Sequence, residues 1–130
     1  MKIEFDPSYA LGDVSGSAED LNLLARVVAE GEGVIDLPSS AATGRHDLTG
    51  VEVRDTPGPG VLLHLDASRR LLVISGDGPA RAVLADNLRE MAELDDGGHL
   101  HIEYFPDHFY LAEGSLALVV NSPHGGMPRR

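Results

Sequence analysis

Residues 99 to 113, His-Leu-His-Ile-Glu-Tyr-Phe-Pro-Asp-His-Phe-Tyr-Leu-Ala-Glu, hold four of the chain's six aromatic residues, three of its six histidines and three carboxylates, with no positive charge. Rings that can bury area, imidazoles that titrate near neutrality and carboxylates are the ingredients of a contact surface or a metal site. His99, His101, Glu103 and Phe105 alternate with Leu100, Ile102 and Tyr104, so on a strand the first set shares one face and the second turns to the core. Two imidazoles about 6.5 to 7 Å apart along a strand can converge on one ion, whereas Glu103 lies about 13 Å from His99 and cannot comfortably join them. A third ligand would have to come from His64, Asp107, His108 or Glu113. Beyond Tyr104, Pro106 ends strand pairing and redirects the chain. Phe105 and Tyr110 are then the expected exposed anchors, with Phe109 or Leu111 plugging the end of the sheet.

Charge supports a contact surface. Ten Lys and Arg stand against 21 Asp and Glu, a net charge of -11, which is the wrong balance for holding a phosphate backbone and excludes nucleic acid as the expected ligand. Between Asp86 and Glu113 lie eight acids and one base, Arg89, so this stretch carries seven of the eleven net negative charges. Glu90, Glu93, Asp95, Asp96, Glu103 and Asp107 form the expected acidic set. Other chemistry has little support. With no cysteine there is no thiolate nucleophile, disulfide or Cys-based metal site. Ser75-Gly76-Asp77-Gly78-Pro79 lacks the P-loop lysine and reads as a helix cap. His46, Asp47, His64 and Asp66 come without the nucleophile elbow of a hydrolase.

The elements that must position these residues are legible in the periodicity. Leu21, Leu24, Ala25 and Val28 recur at helical spacing within 18–30; Ser17 and Asp20 form a capping box and Gly31 closes the helix. A second helix runs from Pro79 to Leu94 with Leu84, Leu88 and Met91 on one face and Arg81, Glu90 and Glu93 toward water. Strands are expected at 2–5, 11–14, 34–37, 50–54, 61–66, 70–75, 99–105 and 116–121, with 38–47 and 56–60 as loops and a hairpin turn at 66–69. Leu11, Val14, Ser15, Gly16, Leu24, Ala25 and Val28 correspond to Leu71, Ile74, Ser75, Gly76, Leu84, Ala85 and Leu88 at a constant offset of 60. The expected fold is α+β: a mostly antiparallel, possibly mixed sheet with two helices packed on one face and an internal pseudo-repeat of a strand-helix-strand unit. Residues 1–121 would form one domain, followed by a flexible tail at 122–130. No apolar run is long enough to span a bilayer and the N-terminus lacks a signal-like segment, so a cytoplasmic protein with no membrane partner is expected.

Taken together, Gly12-Asp13-Val14-Ser15-Gly16-Ser17-Ala18-Glu19-Asp20-Leu21, His99-Leu100-His101-Ile102-Glu103-Tyr104-Phe105-Pro106 and Leu111-Ala112-Glu113-Gly114-Ser115-Leu116 resemble the immunity protein 32 family of bacterial polymorphic toxin systems. The resemblance implies a non-enzymatic protein that neutralises a cognate toxin by binding it, and it assigns no residue a role. The residues themselves would give it an acidic face for a basic partner, centred on Glu90, Glu93, Asp95, Asp96, His99, His101, Glu103, Phe105, Asp107 and Tyr110, and no cofactor. Two alternatives stay open: a metal-binding module or metal-dependent enzyme built on His99, His101 and His108, and a domain whose aromatic corner forms a homodimer seam.

Overall fold

A computed structural model of the chain describes residues 1–8, 10–37, 47–94 and 98–123. In chain order they form β1 (Lys2–Asp6), β2 (Leu11–Ser15), α1 (Ala18–Glu30), β3 (Glu32–Asp36), β4 (Gly50–Asp55), β5 (Leu62–Asp66), β6 (Leu71–Gly76), α2 (Gly78–Glu93), β7 (His99–Ile102) and β8 (Ala117–Asn121). The caps set the helix limits. Ser17 Oγ accepts from the Asp20 N–H while Asp20 accepts from the Ser17 N–H, each at 3.0 Å, and Gly31 at φ 88 ends α1. The side chain of Asp77 accepts from the Ala80 N–H to start α2, with a proline in its first turn. Of the expected loop at 38–47 and the expected tail at 122–130, residues 38–46 and 124–130 lie outside the described residues.

The strands form two four-stranded sheets, ordered β1-β2-β8-β7 and β3-β4-β6-β5, instead of the one expected from the sequence. In each, two antiparallel hairpins meet through a parallel central pair, β2 with β8 and β4 with β6. The pseudo-repeat explains this arrangement. The chain is two ββαββ halves, and each sheet takes the first hairpin of one half and the last hairpin of the other. Register repeats accordingly: Lys2 faces Ser15 as Leu62 faces Ser75, and Glu32 faces Arg54 as His99 faces Asn121. The correspondence extends to the backbone, since Ala10 and Arg70, sixty positions apart, close the two first hairpins with φ of 51 and 58. Exposed sheet edges invite unwanted pairing. Here segments leading into strands of the opposite sheet cover two of them: the Leu48 N–H, just before β4, donates to Ile3 O, and the Leu116 N–H, just before β8, donates to Leu63 O.

Both sheets and both helices contribute to one continuous apolar cluster that includes Ile3, Val14, Leu24, Val28, Val53, Leu63, Ile74, Leu84, Leu88, Leu118 and Val120. One expectation fails here. Arg81 does not face water; it is 5 % exposed. It occupies the position sixty residues after Leu21, on the buried stripe of α2, and its guanidinium donates to Val28 O at 2.8 Å, Ala29 O at 3.1 Å and Asp55 Oδ1 at 2.7 Å, with Nε donating to Gly76 O at 2.9 Å. The last carbonyls of a helix lack partners within it, and α1 has no basic residue in its own last turn. Arg81 supplies that cap from the neighbouring helix, so the start of α2 lies against the end of α1.

Turn carboxylates give the fold a defined acid response. Beside the Arg69 guanidinium, the Ser68 hydroxyl and the Arg69 N–H, the Asp66 carboxyl is held down at about 2 against an ordinary 3.8. Asp20 is lowered by the Ser17 N–H and the terminal ammonium, and Asp77 by the Gly60 and Ala80 N–H groups. A carboxyl lowered in the folded state stabilises it above the unfolded pKa, and that contribution disappears as pH falls through the folded value. Asp66→Asn is therefore expected to be less stable than the wild-type chain at pH 6. The gap should close as the pH is lowered from about 4 to 2 in urea unfolding; a gap unchanged down to pH 2 would remove Asp66 from this role.

Candidate functional site: an aromatic corner on an acidic face

β7 is an edge strand of the first sheet. As the alternation requires, His99, His101, Glu103 and Phe105 are exposed, while Ile102 is buried and Leu100 and Tyr104 pack against the core. Pairing stops at Ile102, and a four-residue turn follows in which the His108 N–H donates to Phe105 O at 2.9 Å. Pro106 takes the second position and Asp107, at φ 69, the third, which is the backbone pattern of a type II turn. This turn leaves Phe105 57 % and Phe109 80 % exposed. Val34 is the other exposed large hydrophobic among the described residues, so two of the three stand on this one corner.

Tyr110 corrects the sequence-based expectation of an exposed anchor, because it is 6 % exposed and belongs to the core with Leu111. The turn restarts the alternation, which the sequence pattern cannot phase across a proline. Asn87 Nδ2 on α2 donates to the Tyr110 hydroxyl at 3.3 Å. Burial raises the Tyr110 phenol above its ordinary value, with the Asn87 bond acting the other way. The phenol therefore stays neutral at physiological pH and serves as a fixed support. From Tyr110 onward the corner is fastened to β5 and the residue before it: Val61 N–H donates to Tyr110 O and Ala112 N–H to Val61 O, both at 2.7 Å, and Leu63 N–H donates to Ser115 Oγ at 3.0 Å.

His108 organises the corner. Its Nδ1 accepts from the N–H groups of Tyr110 at 3.2 Å and Leu111 at 3.1 Å. Its ring lies 4.6 Å from that of Phe105, 5.7 Å from Phe109 and 4.7 Å from Tyr110. His108→Ala should cost about 1–2 kcal/mol by depriving two backbone donors of their acceptor. His108→Asn, whose short amide can accept from N–H groups two and three residues on, should recover part of it in urea unfolding. Equal losses would assign the effect to the ring.

Phe109, His108, Tyr104, Asp107 and Glu113 line, with the Pro59–Gly60 segment, an open groove of about 510 Å³. Asp77 holds that segment in place by accepting from the Gly60 N–H at 2.7 Å, a support that the capping reading of Asp77 did not include. Of the expected acidic set, Glu90, Glu93, Glu103 and Asp107 are exposed, the first two on α2, and Asp95 and Asp96 lie outside the described residues. His99 and His101 stand with ring centroids 5.8 Å apart. Among the described residues no group of three or more His, Asp or Glu is placed to hold a metal ion, so His108 does not complete a shell with them.

The fold and the corner thus define an α+β protein whose distinctive surface is a rigidly supported pair of exposed rings among carboxylates. Residues 72–123 match the model of the Immunity protein 32 family, a stretch that begins in β6 and ends just after β8. The matched stretch contains α2, β7 and the whole aromatic corner, and it agrees with the resemblance read from the sequence. Immunity proteins as a class neutralise a protein toxin. No curated protein and no solved structure matches the chain. Among the described residues no helix is long and apolar enough to cross a membrane.

Proposed function

We propose that this chain is an immunity-type protein that binds and neutralises a cognate toxin through the aromatic corner, with Phe105 and Phe109 as anchors and Glu103, Asp107 and Glu113 as an acidic rim. The observation that carries the reading is the exposure of both phenylalanines on a turn fixed by His108 and the β5 edge, inside the segment that matches an immunity-protein family. A large ring held in water has no packing role, whereas a rigid exposed ring ringed by polar groups is what an interface hot spot requires. The acidic rim favours a basic partner, because charge complementarity speeds encounter and buried anchors slow dissociation. Such a protein acts by covering its partner and requires no catalytic group. The test is protection: the chain is co-expressed with each toxin domain encoded beside its gene, and survival together with a stable complex is the expected result. Failure to bind or protect against any such neighbour would overturn the proposal.

A further inference from the structure

The corner is one end of a longer surface. The inward face of the β1-β2-β8-β7 sheet builds the core, and among the described residues no element packs over the other face. Its cross-strand rows are set by register: Glu4 faces Asp13, Asp13 faces Val119 and Val119 faces His101, while Asp6 faces Leu11 and Leu11 faces Ala117. Glu4, Asp6, Asp13, His101 and Glu103 are all exposed. Two open grooves score this face. One, of about 340 Å³, is lined by Glu4, Phe5, Asp6, Leu11 and Asp13. The other, of about 300 Å³, includes Leu11, His101, Glu103, Ala117 and Val119 among its walls. Leu11 is common to both, so they meet on the middle of the sheet, and Glu103 leads directly into the aromatic turn.

We infer that the outer face of the β1-β2-β8-β7 sheet is a docking surface for an extended cationic segment of the protein partner, continuous with the corner through Glu103. This inference rests on the toxin-binding reading and extends its footprint to residues of β1 and β2 outside the matched segment. Charge complementarity identifies the occupant. Four carboxylates, Glu4, Asp6, Asp13 and Glu103, border an apolar strip of Leu11, Ala117 and Val119. The one ammonium side chain on the face, Lys2, lies 3.3 Å from Glu4 and is already occupied by it. An extended segment rich in lysine or arginine lays the aliphatic stems of those side chains along the strip and carries their charged ends to the carboxylates of the rim. Asp13 is held in position by Asn121, whose Nδ2 donates to it at 2.7 Å and to Ser15 Oγ at 3.1 Å.

The probe is an acetylated heptapeptide of alternating lysine and leucine, titrated into the isotopically labelled chain while backbone amide shifts are followed. Saturable shifts across Leu11–Ser15, Ala117–Asn121 and His101 are expected. Glu4→Gln combined with Asp13→Asn should weaken binding about fivefold, whereas the equally charge-reducing pair Glu30→Gln and Glu32→Gln, on α1 and the other sheet, should change it less than about twofold. Val119→Arg, which sets a cation in the middle of the strip, should abolish the shifts on this face. Shifts confined to the corner, or equal weakening by both charge-reducing pairs, would overturn the inference. The toxin-binding reading would survive that result, because it is judged by protection and by the two phenylalanines.

Discussion

Replacing Arg81 by alanine is expected to destabilise the fold by about 3 kcal/mol, the largest loss expected for a charged side chain. Four acceptors lose a donor together: Gly76 O at the end of β6, which keeps the Thr56 N–H, Val28 O and Ala29 O at the end of α1, and the Asp55 carboxylate at the end of β4. The truncation also opens space beside Gly31, where a built Cβ would already lie only 2.7 Å from an Arg81 guanidinium nitrogen. The ion pair is the smaller part of the effect. The Asp55 side chain is 68 % exposed, so Asp55→Ala should cost less than about 1 kcal/mol. Arg81→Met retains most of the volume without the donors and should still lose about 2 kcal/mol, because buried carbonyls without partners remain costly. Urea unfolding of the three variants separates these contributions. A loss under about 1 kcal/mol for Arg81→Ala would show that water replaces the guanidinium at the α1 terminus.

The second large effect is expected on binding and not on folding. Phe105→Ala and Phe109→Ala each remove a ring that is mostly in solvent, so each should alter stability by less than about 0.5 kcal/mol. At an interface, truncating an aromatic anchor costs about 2 kcal/mol or more, which is about a thirtyfold loss of affinity for a cognate toxin. The two rings flank one turn and both contact the His108 ring, so the double variant is expected to depart from simple additivity. Tyr110→Ala provides the contrast. It removes a buried ring and its Asn87 contact, and should reduce stability by about 3–5 kcal/mol before any question of affinity arises. If both phenylalanine variants bound a protective toxin partner as tightly as the wild-type chain, the corner would not be the contact surface.

Much of the local structure was written in the sequence. Apolar spacing placed α1 at 18–30 and α2 within one residue of its observed limits, and all eight strand segments recur as β1 to β8. These features depend on neighbours within a few positions: the Ser17 and Asp20 capping box, the Asp77 cap, the alternation through His99–Glu103 and the short turn between β5 and β6. The offset of 60 also carried real information, since both the register and the backbone conformation of the two first hairpins follow it.

Tertiary structure decided what no local pattern encodes. Exchange of hairpins between the halves created two sheets with parallel central pairs, because β2 meets β8 and β4 meets β6 only after the chain has folded back on itself. The same exchange brought Arg81 beneath the end of α1, turning a residue expected in solvent into a buried cap; its partners Val28 and Ala29 are more than fifty positions away in sequence. At the corner, the proline and the αL residue after it reset the alternation, so that Tyr110 turned inward and Phe109 outward. Sequence alone thus determined which residues form helices, strands and the acidic aromatic segment, through short-range sterics and periodicity. Which side chains remain in water for a partner was settled by long-range packing, which filled the core with Tyr110 and Leu111 and left the two phenylalanines outside.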